Sequence, residues 1–115
     1  MSQSFAKSAR LLSSGEFTRV LAGAEINIHS GPLRLKAIAN RMPCARLGVV
    51  VGKKGNRLAV RRNRIKRVIR DVFRLRRASL PPVDLVVQVF RPVEDEDLRR
   101  RLDQLFTELE VTVCR

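Results

Sequence analysis

The chain has 115 residues, 44% of them hydrophobic, and a formal net charge of +13. That length and apolar content suit one domain spanning 1–115, with residues 1–10 as a flexible arm, and argue against disorder throughout. So basic a surface favours polyanions and repels copies of itself, which predicts a monomer, while no apolar run nears the roughly 20 residues of a membrane-spanning helix.

In chain order, "MSQSFAKSARLLSSGEF" has neither the long apolar stretch nor the cleavage site of a secretory signal, so a cytoplasmic location is expected. "SSGEFTRVLAG" predicts a helix capped by Ser14, with Phe17, Val20 and Leu21 on one face and Gly23 at its end. "INIHS" and "LRLKAIA" alternate as strands do, with "SGP" as the turn between them. "ARLGVVVGKK" is more continuously apolar and predicts a strand buried on both faces, at the centre of a sheet. Gly52 and Gly55 lead into a long helix over about residues 57–77, which Leu80-Pro81-Pro82 ends. "VDLVVQVF" predicts another strand. "EDEDLRRRLDQLFTELEV" predicts a helix with an acidic first turn and Leu98, Leu102, Leu105, Phe106 and Leu109 facing inward. The fold class is therefore α+β.

Protein-borne chemistry has little support. Cys44 and Cys114 make no disulfide framework and read as free thiols in a reducing compartment. His29 has no second histidine or cysteine nearby, so no metal site is expected. HExxH, GxGxxG, P-loop and GxSxG motifs are all missing, and no catalytic residue is assigned.

The charge is concentrated instead. Residues 53–77 hold 12 of the 24 Lys and Arg, and residues 94–110 hold 7 of the 11 acids. At about 100° per residue, Leu58, Ile65, Val68, Ile69, Val72, Phe73 and Leu75 form an apolar sector of the long helix. Asn63, Arg64, Lys66, Arg67, Arg70, Arg74 and Arg77 lie opposite. Arg61 and Arg62 fall on the apolar side, which predicts that this end projects past the sheet with both guanidinium groups solvated along a groove. Apart from Asp71 the helix lacks acids to pair with these cations, and like charges at i+4 repel. Phosphate contacts with counterion release account for that cost, and arginine's planar fork suits them. A strand and glycine turn precede this helix, unlike a helix-turn-helix, so RNA is favoured over DNA. A ribosomal RNA-binding protein is the competing reading; a DNA-binding regulator lacks a dimerisation element.

The stretch "GKKGNRLAVRRNRIKRVIRDVF", residues 52–73, closely resembles the signature of the bacterial ribonuclease P protein subunit. The resemblance rests on Arg62-Asn63-Arg64, Lys66-Arg67 and Arg70-Asp71, and extends to "RLLSSGEFTRVL", "RLGVVVGKK" and "LPPVDLVVQVF". It implies an αβββαβα domain like domain 2 of ribosomal protein S5, with a mixed sheet and a left-handed crossover. It also implies that ribonuclease P RNA carries the catalysis, removing the 5′ leader of precursor tRNA with Mg²⁺. On that resemblance Lys53, Lys54, Arg57, Arg61, Arg62, Asn63, Arg64, Lys66, Arg67 and Arg70 would face the catalytic RNA. Phe17, Leu21, Lys36 and Arg91 would line a cleft for the single-stranded leader. Leu21 stands where many members carry a second aromatic, residues 33–38 offer no tyrosine, and Phe90 stands where basic pairs are common.

Overall fold

A computed structural model describes residue 10 and residues 13–113; Cys114 and nearly all of the expected 1–10 arm lie outside the described residues. The elements are α1 (Ser14–Gly23), β1 (Ile26–Ser30), β2 (Leu33–Ala39), β3 (Arg46–Val51), α2 (Ala59–Arg76), β4 (Val83–Val89) and α3 (Asp95–Val113). This is the order read from the sequence, with three strands before α2. A 3-10 turn, Arg77–Ser79, follows α2, and Leu80 is extended ahead of the two prolines.

Local chemistry sets the ends. Ser13, not Ser14, caps α1: its hydroxyl accepts from the Glu16 amide at 3.1 Å, and the Glu16 carboxylate accepts from the Ser13 amide at 3.0 Å. This reciprocal box satisfies two amides that the first helical turn leaves open. Ser30 pairs with Leu33 across a two-residue turn in which Gly31 has φ of 56°, a conformation that favours glycine.

The four strands form one mixed sheet in the order β1-β2-β4-β3, antiparallel except for the β3–β4 pair. The apolar run of β3 was expected at the centre, but β3 is an edge strand and β4 is central. A parallel neighbour needs a crossover, and α2 supplies it, covering one face of β3 while leaving Val50 on the other 38% exposed. Arg10 adds an isolated parallel bridge to Leu47 along that edge. β4, hydrogen-bonded on both sides, is buried at every position except Gln88.

Leu33, Leu35 and Ala37 of β2 and Leu85, Val87 and Val89 of β4 face α2 and α3. Ile65, Ile69 and Phe73 of α2 meet Leu98, Leu102, Leu105, Phe106 and Leu109 of α3 in this core, with the Phe73 and Phe106 rings 6.2 Å apart. The inward set read for α3 is the one observed. Leu58 and Leu75, placed in the apolar sector of α2, are instead 68% and 70% exposed. Leu58 is the cap residue before the helix begins, and Leu75 lies at the sector's edge.

Candidate nucleic-acid interface

Strand alternation gives the sheet a second face. It carries Arg34, Lys36 and Ile38 of β2, Asp84, Val86 and Gln88 of β4, and Arg46, Gly48 and Val50 of β3. Among the described residues only α1 covers this face, and only at the Asp84 end, where Val20 and Val86 are buried and Phe17, Leu21 and Ile38 pack against them. Lys36 pairs in register with Val86 and stands at the border of that cluster. Phe17, Leu21 and Lys36 thus come from neighbouring parts of this face, the two apolar residues partly buried.

An ionic clamp fixes α1 there. The fully buried Asp84 carboxylate accepts from Arg46 at 2.7 and 2.8 Å, from Asn40 at 2.8 Å, and from Arg19 of α1. Arg46 also donates to Glu16 of α1 at 2.9 Å. Burial alone would push the Asp84 carboxyl up, but the hydrogen bonds from Arg46 and Asn40 and the two arginine charges hold it below its ordinary value. Sequence reading missed this clamp. The signal was an acid inside the apolar run "VDLVVQV", since a buried charge demands partners.

The glycine turn after β3 packs on the end of β4. Gly52 donates to Val89 O at 3.0 Å, the Asn56 amide donates to Gly52 O at 3.2 Å, and a Cβ on Gly55 would lie 2.3 Å from Phe90 O and 2.9 Å from the Arg91 Cα. Arg91 stands beside the turn that carries Lys53 and Lys54. Lys53, Lys54, Arg57 and Arg91 are exposed, and their side chains make no hydrogen bond or ion pair among the described residues.

Arg61 and Arg62 are half-buried instead of freely solvated. Arg62 donates to Asn56 O at 2.9 Å and Arg57 O at 2.8 Å, and Arg61 donates to Val93 O. Loops following β3 and β4 offer carbonyls where the helix leaves the sheet, and the forked guanidinium groups take them. They tie the start of α2 to the turn.

The acids missing from α2 come from α3. Asp95 accepts from Arg64 Nε at 2.7 Å and Nη2 at 2.6 Å, and Arg76 reaches Asp103 O at 3.0 Å, Thr107 at 3.1 Å and Glu110 at 2.9 Å. The hydrogen bond from Arg64 holds the Asp95 carboxyl below its ordinary value, and that bond raises Arg64. Asn63 and Arg67 stay exposed, Lys66 is half-buried, and Arg67 joins Arg64, Arg99, Asp71 and Asp95 around a hollow of about 350 Å³. Arg70 is lowered by burial, then by the charge of Arg10.

The arrangement is one cationic end of the molecule, from the Lys53-Lys54 turn through the first turns of α2, continuous with an uncovered sheet face. Ammonium and guanidinium donors so placed suit phosphate oxygens. Among the described residues no three of His, Cys, Asp and Glu cluster as metal ligands would, and no helix is long and apolar enough to cross a membrane.

Comparison with known proteins gives the family. The sequence family described as Ribonuclease P matches residues 5–110. The ribonuclease P protein component of Chromohalobacter salexigens is 39% identical over 114 residues, covering 96% of this chain and 89% of that protein. The component from Saccharophagus degradans is 38% identical, covering 90% and 78%. Among solved structures, the Staphylococcus aureus RNase P protein superposes with a TM-score of 0.81 at 24% identity, covering 89% of this chain and 95% of that one, a likeness of fold. The Thermotoga maritima RNase P protein gives 0.74 at 27% identity, covering 86% and 96%.

Proposed function

Because the chain belongs to the ribonuclease P protein family, we propose that it docks its cationic end on a catalytic RNA and helps that RNA remove the 5′ leader of precursor tRNA. The observation carrying this reading is the continuity between two surfaces: the Lys53-Lys54 turn with the start of α2, and the uncovered face beside Phe17, Leu21 and Lys36.

On this reading Lys53, Lys54, Arg57, Lys66 and Arg67 contact phosphates of the RNA partner, each contact releasing condensed counterion. Asn63 adds an amide able to donate and accept, and Arg64 joins by exchanging Asp95 for a phosphate. Arg61 and Arg62 hold the turn and α2 in register for the others. The leader, a single strand, runs along the uncovered sheet face, its bases on the apolar residues and its phosphates against Lys36 and Arg91. This placement lets leader-bearing RNA bind better than mature product.

The chemical step belongs to the RNA. Mg²⁺ assists that RNA, and the guanidinium and ammonium groups that dominate this interface do not fit a divalent cation. Easing phosphate repulsion lowers the Mg²⁺ that the RNA needs to fold and act. The protein would work in the cytoplasm as a monomer.

Affinity of the reconstituted complex for precursor and for mature tRNA tests the reading. The protein should tighten precursor binding and leave mature tRNA little changed. Equal tightening of both would mean that the leader takes no part in recognition.

A further inference from the structure

The uncovered half of the sheet face ends in an aromatic. The Phe90 amide donates to Pro32 O at 2.9 Å, extending the β2–β4 ladder one step, so Phe90 follows Gln88 on the face away from α2 and α3. Phe73 and Phe106 are buried and Phe17 of α1 is partly buried against Val20 and Val86, whereas Phe90 is 45% exposed. The Arg34 guanidinium lies over the Phe90 ring, 5.0 Å from its centroid. Arg34 Nε donates to His29 Nε2 at 2.9 Å, so β1 fixes the guanidinium from the other side. Three strands thus contribute to one flat surface, His29 from β1, Arg34 from β2 and Phe90 from the end of β4. Arg91 and the Lys53-Lys54 turn flank it.

We propose that Arg34 and Phe90 form a stacking platform for an unpaired nucleobase of a single-stranded RNA, with His29 positioning Arg34. An exposed aromatic alone would carry little, since lone apolar side chains are common on surfaces. Here a planar cation already lies over the ring. Cations for the adjoining phosphates stand beside it, the combination that binds single strands without reading their sequence. Neither Phe90 nor Arg34 belongs to the set that the signature motif points to. The platform lies beyond the Phe17 cluster on the same face, where it lengthens the track of a bound strand by about one nucleotide. The inference rests on the RNA-binding reading above.

The test uses the full chain and a fluorescein-labelled single-stranded RNA of about ten nucleotides, within the site sizes of such surfaces. The chain has no tryptophan, so Phe90→Trp introduces a single indole reporter. Phe90→Ala should bind the RNA about tenfold more weakly, the loss expected of one base stack, while Phe90→Trp binds as the wild type with its fluorescence quenched. A strand abasic throughout should bind through its phosphates without the quench. Wild-type binding with no quench in Phe90→Trp overturns the platform, even if Phe90→Ala binds weakly. Absence of wild-type binding would overturn the RNA reading itself.

Discussion

Asp84 decides where α1 lies, and with it the shape of the sheet face. Its carboxylate joins β4 to β3 through Arg46 and to α1 through Arg19. Asp84→Asn leaves two guanidinium groups facing a neutral amide at a buried site and should cost about 3 kcal/mol, a fall in Tm of roughly 10–20 °C. The carboxyl is held below its ordinary value in the folded chain, so its contribution is present above about pH 4 and is lost as pH falls further. Urea titrations between pH 7 and pH 3 should show this acid-sensitive stability in the wild type and a smaller loss in Asp84→Asn. At the surface Asp95 has a different part. It occupies the donors of Arg64 that a phosphate would use. Asp95→Asn should therefore raise RNA affinity about two- to fivefold at low salt, as expected of an exposed pair, with the gain fading as salt is added. A fall in affinity would mean that Asp95 orients Arg64 toward the RNA instead.

At the scale of elements, α2 does two jobs on opposite sides. Ile65, Ile69 and Phe73 bury against the sheet and α3, while the side bearing Asn63 and Arg67 stays in water. Replacing Arg64 and Arg67 together by alanine should flatten the dependence of log affinity on log salt by about 1–2 units, one for each phosphate no longer neutralised. An unchanged slope would reduce these arginines to a solvated face. The glycine turn is the second element under constraint. Gly55→Ala places a methyl 2.3 Å from Phe90 O, and backbone cannot rotate aside as a side chain would. The variant should lose about 1–3 kcal/mol, read as a lower urea midpoint. RNA binding should weaken as well, because Lys53, Lys54 and Arg91 share that turn. Periodicity read the packing side of α2 from Ile65 to Phe73 correctly because it is set by local spacing. It failed at Leu58, where the helix has not begun, and at β3, whose apolar run reflects cover by α2 instead of a central place. The pairing of Arg64 and Arg76 with α3 acids was not legible, since it joins residues 27–34 positions apart.

Across the whole molecule, a charge of +13 is distributed asymmetrically: α3 acids neutralise part of α2, and the turn and helix start keep theirs. Folding confines that repulsion, so sulfate at modest concentration should raise Tm more than chloride at equal ionic strength. Element order, the inward face of α3 and the signature stretch were legible because each is written in adjacent residues. The Phe90–Arg34 contact and the Asp84 clamp needed strand register, which the sequence does not print. The most direct measurement of the central claim is cleavage of precursor tRNA by the catalytic RNA, with and without this protein, at low salt across a Mg²⁺ series. The protein should shift cleavage to lower Mg²⁺ and lower salt, and a leaderless control should show little gain in binding. Cleavage with the same rate and Mg²⁺ demand in both arms would contradict the claim.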